Sequence, residues 1–126
     1  MSSSTFTSAG VNLAVLVGTL SRAPQLRTLP SGDDVLALEL TVRPAEGPAE
    51  SVPVAWLGAP AGACAWAEGE EVLVVGRVRR RFFQAGGVTQ SRTEVVASMG
   101  VPTRQAARAR RLIADAEADL GALAGP

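Results

Sequence analysis

The stretch that decides the fold lies at residues 70–83 and includes Val72-Leu73-Val74-Val75-Gly76-Arg77-Val78-Arg79-Arg80-Arg81-Phe82-Phe83. Side chains alternate between the two faces of a β-strand. With that period, Val72, Val74 and Val78 share one face of this stretch. The other face begins with Leu73 and Val75 and continues with Arg77, Arg79, Arg81 and Phe83. We therefore predict one long strand whose second face changes from apolar to basic and aromatic.

Four more strands are predicted around this one, from apolar runs bounded by Gly, Pro and charged residues. They cover residues 11–20, 35–43, 51–57 and 92–98. Trp56 shares its face with Val52 and Val54, which places its side chain in the predicted core. Pro53 has no N–H to donate, so its strand should be an edge or irregular at that point. Gly86-Gly87 predicts a tight hairpin turn before the last strand.

The residues between the third and fourth strands predict one short helix. Residues 59–68 are rich in alanine, with Pro60 near the start and Gly69 just after the end. Three strands, a helix and two strands favour an all-β fold, a five-stranded OB-fold barrel with one short capping helix. A small β-sandwich is the alternative that the pattern leaves open.

Both ends differ from this central domain, which we place at residues 11–100. Residues 1–10 are rich in Ser and Thr and predict a flexible lead. Residues 101–126 predict a C-terminal helical extension, capped by Thr103 and reaching about Ala122. Its apolar stripe is Ala109, Leu112, Ile113, Ala116 and Leu120. Its arginines come first and its acidic residues last, which is the order that the helix dipole disfavours. The helix should therefore not be stable alone, and both a docked helix and a frayed tail remain possible.

Composition excludes several kinds of chemistry. The chain has no histidine and one cysteine, Cys64, so one chain cannot form a disulfide, a Cys/His zinc site or a histidine-dependent triad. No Gly-rich phosphate loop is present, and no motif pairs two carboxylates. We therefore expect that the protein is not an enzyme and that it binds no metal and no cofactor. No basic segment leads into an apolar run at the N-terminus, and no membrane-length apolar run occurs. We therefore expect a cytoplasmic protein that does not enter a membrane.

Charge is unevenly distributed although the net charge is zero. Residues 72–114 hold nine arginines and one acid, Glu94, whereas residues 1–71 hold three arginines and eight acids. A basic section of this kind indicates an anionic partner. Guanidinium groups neutralise phosphates and an aromatic ring stacks on any base, so the predicted strand face suits single-stranded nucleic acid. A solvated arginine-rich strand with Phe83 packed under a loop is the alternative.

Several short motifs occur together in a recognisable order over residues 12–98. They are Asn12, Val15-Leu16-Val17-Gly18-Thr19-Leu20, Arg22-x-Pro24-x-x-Arg27, Pro30-Ser31-Gly32, Gly58, Glu68-Gly69-x-x-Val72-x-x-x-Gly76-Arg77-Val78-Arg79 and Thr93-Glu94-Val95-Val96-Ala97. In this set the chain resembles the bacterial single-stranded DNA-binding protein family. The resemblance implies an OB barrel, usually a homotetramer, that coats single-stranded DNA during DNA replication, DNA repair and DNA recombination. We expect the DNA-binding residues to be Arg27, Arg43, Arg77, Arg79, Arg81, Phe83 and Arg92.

The chain departs from the family in two places. The family has tryptophan and phenylalanine on the DNA face of the third strand, where this chain has Ser51, Pro53, Ala55 and Leu57. Residues 120–126 also lack the acidic, aromatic tip with which the family recruits replication and repair proteins. Fewer stacking rings predict weaker DNA binding. An OB-fold protein-interaction subunit of a replication or repair complex, similar to the primosomal replication proteins, is therefore the alternative function.

Two further expectations concern assembly and the stacking ring. The first strand is apolar on both faces, which in a small barrel predicts that a second subunit covers one of them, in a homodimer or homotetramer. The family's stacking aromatic corresponds to Phe82 or Phe83, and the strand period favours Phe83. Phe82 shares the face of Val72 and Val74, so we expect it to stabilise the fold instead.

Overall fold

The computed structural model describes residues 10–123 of the chain. The strands are β1 (Ala14–Leu20), β2 (Gln25–Thr28), β3 (Asp34–Val42), β4 (Glu50–Leu57), β5 (Glu71–Ala85) and β6 (Val88–Pro102). A 3-10 helix, Ala61–Ala65, lies between β4 and β5, and the α-helix α1 (Ala106–Leu123) follows β6.

The six strands form one sheet in the order β1-β5-β6-β4-β3-β2. β1 also pairs with β3 through Thr19 opposite Thr41 and Leu20 opposite Leu40, so five strands pair in a ring and β2 lies outside it. All neighbours are antiparallel except β4 and β6. The described residues thus form a mostly β structure that is consistent with the OB fold, and they do not form the two separate sheets of a sandwich.

The core lies inside this ring and is built by the alternating residues of β3 and β4. Trp56 is only 4% exposed, which confirms that its face of β4 points inward. Its ring lies 5.8 Å from that of Trp66. A Cβ atom on Gly100 would lie 3.0 Å from the Trp56 ring, so the glycine leaves room for the indole. The other buried members are mainly Leu20, Leu36, Leu38, Leu40, Val54, Val72, Val74 and Val95.

Two elements differ from the sequence-based expectation. The strand β2 was not predicted from the sequence; its four residues are all exposed, and it is held by backbone pairing with β3. The predicted capping helix is a five-residue 3-10 helix in which only Ala63 is buried. Pro60 precedes it without a side-chain cap hydrogen bond. Too few of its residues enter the core to support a longer α-helix.

β5 and β6 form the longest hairpin, with 15 residues in each strand. The turn at Gly86 and Gly87 is the one predicted, and both glycines have positive φ, at 59° and 79°. The ladder is interrupted once, where Val75 pairs with Met99 and Gly76 pairs with Ala97. A Cβ atom on Gly76 would overlap the carbonyl group of Val96, so only glycine fits at this bulge.

α1 is docked, which answers the question that its charge pattern left open. Ala109 and Leu112 pack against Leu73 of β5 and Val101 of β6. Thr103 does not act as the predicted cap, because its hydroxyl hydrogen-bonds to the Glu71 carboxylate at 2.6 Å. No helix within residues 10–123 is long and apolar enough to cross a membrane. The predicted N-terminal lead, except for Gly10, lies outside the described residues.

Candidate nucleic-acid interface

A groove of about 340 Å³ crosses the outer face of the sheet, between β3 and β4 on one side and the second half of the β5–β6 hairpin on the other. Its sides carry charged residues: Arg22, Arg27, Arg79, Arg81, Arg92 and Glu94. Its floor is mostly small and apolar, and includes Val35, Ala37, Pro53, Ala55 and Leu57. A groove of this composition suits a nucleic-acid strand, whose backbone is anionic and whose bases have flat apolar faces.

The hairpin register explains why the basic side chains converge here. Arg79 pairs with Glu94, Arg81 with Arg92, and Phe83 with Gln90. Directly paired residues project from the same side of a sheet. The predicted common face of Arg79, Arg81 and Phe83 is therefore present, and β6 adds Arg92 to it.

Glu94 lies at the centre of this charged cluster and was not among the predicted site residues. Its carboxylate is 6% exposed. The Oε2 atom lies 2.5 Å from Nη2 of Arg79, and the Oε1 atom lies 3.5 Å from Nε of Arg81. The signal was present in the sequence, because a two-residue turn at Gly86-Gly87 places Glu94 opposite Arg79 along a regular ladder.

One donor in the groove has no acceptor. The Nε atom of Arg79 is buried and makes no hydrogen bond within the described residues. Arg81 and Arg92 face each other directly across the ladder, and like charges in that position repel. The repulsion between Arg81 and Arg92 would fall if an anion lay between their guanidinium groups.

The two phenylalanines lie on opposite faces of the hairpin. Phe83 is half-buried, and its ring lies 5.2 Å from the guanidinium carbon of Arg81. Phe82 is 66% exposed, with the Arg80 guanidinium 5.8 Å from its ring. Phe82 was expected to stabilise the fold from the face of Val72 and Val74, but its ring does not join them in the core, because this part of β5 extends beyond the ring of strands that encloses the core.

The remaining predicted residues are only partly brought together. Arg27 lines the groove from β2, and its Nη2 atom donates a hydrogen bond to Gln25 at 3.3 Å. Arg77 is exposed on the same face of β5 but outside the groove lining, and Arg43 is exposed just after β3, also outside it. Arg22, which was not among the predicted residues, lines the groove and pairs with Glu39 at 3.0 Å.

The groove floor shows the consequence of the sequence departure on β4. Pro53 and Ala55 lie on the face of β4 where the resemblance led us to look for aromatic side chains. No aromatic residue lies among the residues that line the groove. β4 pairs with β6 only through Val54–Val95 and Ala55–Val96, so Pro53 has no partner on that side and lies at an edge there, which is one of the two predicted options. Its pairing with Glu39 of β3 is regular, so the other predicted option, an irregular strand, is not seen. Within the described residues, Phe83 is therefore the ring best placed to stack on a base at this face.

Comparison with known proteins agrees with this geometry. No curated protein sequence matches the chain. The family model described as "Single-strand binding protein family" matches residues 11–102, a segment that contains all of β1 to β6 and every residue of the groove and that ends before α1. On the strength of that match, which covers most of the chain, the protein belongs to the single-strand binding protein family.

Proposed function

We propose that this protein binds single-stranded DNA without sequence specificity, through the groove on an OB-type barrel. The observation that carries the proposal is the arrangement of Arg81 opposite Arg92, with the Phe83 ring beside Arg81. A phosphate between the two guanidinium groups would relieve their repulsion and accept hydrogen bonds from both. Phosphate contacts and base stacking are the same for all four bases, so the complex would be tolerant of sequence.

Binding of this kind should be weaker than in a family member with more aromatic platforms. Stacking contributes about 1–3 kcal/mol per base, and the groove floor offers Pro53 and Ala55 in place of rings. Glu94 also neutralises part of the charge on Arg79 and Arg81. Affinity would therefore come mainly from the arginines.

The cellular role that fits this binding is protection of exposed single strands during DNA replication, repair or recombination in the cytoplasm. Single-strand binding proteins act by binding and not by catalysis, and we assign no reaction to this chain. The second candidate is a protein-interaction subunit of a replication or repair complex. The carboxylates of Glu94 and Glu39 favour this second candidate. Each already pairs with an arginine of the groove, which leaves fewer guanidinium groups free to bind DNA.

We propose that the protein forms a homodimer or homotetramer. Val15 and Val17 are exposed on the outer side of β1. Val15 lies in one cross-strand row with Val75 and Met99, and Met99 is also exposed. An exposed apolar row on a sheet is typical of a surface that another subunit covers.

A titration tests the DNA-binding proposal. A fluorescent single-stranded oligonucleotide is titrated at several salt concentrations, with unlabelled duplex DNA as competitor. Three to five phosphate contacts predict that the logarithm of the binding constant falls with the logarithm of salt with a slope of about −2 to −3.5. Duplex DNA should compete poorly. Absent binding, or equal competition by duplex, would favour the protein-interaction subunit.

A further inference from the structure

α1 carries an apolar stripe that its docking on the barrel does not use. Ala109 and Ala116 are buried against the rest of the chain. Beside them lie Ala106, Ile113 and Leu120, spaced by seven residues, which places them in one line along the helix. Ile113 is 38% exposed and Leu120 is 40% exposed. A seam with this spacing is typical of helices that pack lengthwise against another helix.

The charges of α1 indicate the direction of such a neighbour. Arg108, Arg110 and Arg111 lie in the first half of the helix, and Asp115, Glu117 and Asp119 lie in the second half. Each half has the charge that its own helix dipole disfavours. An antiparallel copy of the same helix would place basic residues beside acidic ones at both ends, and would also oppose the two dipoles.

Arg110 and Glu117 are the pair that defines the register. Both lie along the same edge of the exposed stripe, three residues before and four residues after Ile113. Neither makes an ion pair within residues 10–123. Neither has an opposite charge three or four residues away in its own helix, where such partners would stand. Both charges are therefore available to a neighbouring molecule.

We propose that α1 of a second copy packs antiparallel along this stripe, around a two-fold axis next to Ile113. Arg110 of each copy then faces Glu117 of the other, and Ala106 of each copy lies near Leu120 of the other. This rests on the proposed homo-oligomer and names one of its contact surfaces. One pair of helices buries less than the roughly 1,200 Å² of a standard interface, so it contributes to the assembly together with another surface.

The position of α1 keeps this contact away from the DNA groove. The helix packs on Leu73, near the start of β5, and on Val101, near the end of β6. The groove is lined by the opposite halves of the same two strands, from Arg79 to Arg92. Pairing through α1 would thus join two binding grooves without covering either.

Charge reversal tests the proposal in the full chain. Sedimentation velocity over a series of concentrations is compared for wild type, Arg110→Glu, Glu117→Arg and the double variant. Each single reversal creates two repulsive contacts in the two-fold pair. The protein concentration at which half of the oligomer has dissociated should therefore rise about tenfold or more. The double variant should recover the wild-type behaviour. Arg111→Glu, on the side of α1 away from the stripe, is the matched control and should leave assembly unchanged.

The alternative outcomes are distinguishable. Arg110 and Glu117 are about 10 Å apart along one helix, so recovery in the double variant cannot arise within one copy. An oligomer that none of the variants weakens would overturn the α1 contact and leave the proposed assembly intact. Single variants that dissociate without recovery in the double variant would overturn the antiparallel register. A monomer at every concentration would overturn the assembly and the contact together, and the DNA titration would still decide the binding function separately.

Discussion

Glu94 faces Arg79 across the β5–β6 ladder, with 2.5 Å between the carboxylate and guanidinium groups, and this pair lies in the middle of the proposed DNA groove. The carboxylate is nearly buried, whereas Arg79 is partly exposed. Glu94 therefore has two opposing effects. It orients Arg79 and Arg81, and it occupies hydrogen-bond donors that a phosphate would otherwise use.

Replacing Glu94 by Gln should separate these two effects. Loss of the negative charge should tighten single-strand binding and steepen the salt slope by about 0.7 for each guanidinium group released. The free energy of unfolding should fall by about 1–1.5 kcal/mol, because the Gln amide oxygen still accepts a hydrogen bond but lacks the charge that strengthens the contacts with Arg79 and Arg81. Oligonucleotide titration and urea unfolding measure the two quantities. Glu46→Gln, in an exposed loop, removes the same charge as a control. Weaker binding with an unchanged slope would mean that Glu94 acts mainly by orienting the arginines.

Arg92 offers the cleanest test of a phosphate contact, because it makes no ion pair within residues 10–123. Arg92→Ala should flatten the salt slope by about 0.7 and weaken oligo(dT) and oligo(dC) alike, since phosphates carry no sequence information. Arg111→Ala makes the same change in net charge on α1 and should leave the slope unchanged. Equal effects of the two substitutions would show that net charge matters and the groove does not.

Phe83 and Phe82 should behave differently although they are adjacent. Phe83→Ala is expected to cost about 1–3 kcal/mol of DNA affinity with almost no change in salt slope, because stacking releases few counterions. Phe82→Ala should leave affinity intact and change the free energy of unfolding by less than about 0.5 kcal/mol, since the ring is mostly exposed. Titrations and urea unfolding of both variants provide the measurement. Loss of affinity in Phe82→Ala alone would place the DNA on the opposite face of the hairpin.

Gly76 should be intolerant of any side chain. Gly76→Ala forces a methyl group into the Val96 carbonyl, and overpacking of this kind costs about 1–3 kcal/mol. Gly62→Ala is the control, because a Cβ atom there meets no atom within 4 Å. Urea unfolding should show a clear loss of stability for the first variant and little change for the second. Similar stabilities would mean that the bulge relaxes freely.

The sequence predicted those parts of the fold that depend on side-chain alternation or on turn chemistry. The alternation in β4 correctly placed Trp56 in the core, and Gly86-Gly87 correctly placed the hairpin. β2 was not predictable in this way, because all four of its side chains are exposed and backbone pairing alone holds it.

The part of the candidate site that lies on β5 was predicted from the sequence, and most of the remainder was not. The period of β5 correctly placed Arg79, Arg81 and Phe83 on one face. It did not include Arg22, whose place in the groove depends on how the turn after β1 returns towards the sheet. It also led to the expectation that Phe82 stabilises the fold with Val72 and Val74, because the period of a strand does not show where that strand extends beyond the ring of strands.

Photocrosslinking can show whether single-stranded DNA binds in the groove beside Phe83. An oligo(dT) strand containing 5-iododeoxyuridine is irradiated with the protein, and tryptic peptides are sequenced by mass spectrometry. Cleavage after Arg81 and Arg92 isolates both phenylalanines in one peptide, in which fragmentation locates the attachment. We expect a crosslink at Phe83 that is abolished by an excess of unlabelled single-stranded DNA but not by duplex DNA. Specific crosslinks confined to α1, to Trp66 or to Phe82 would contradict it.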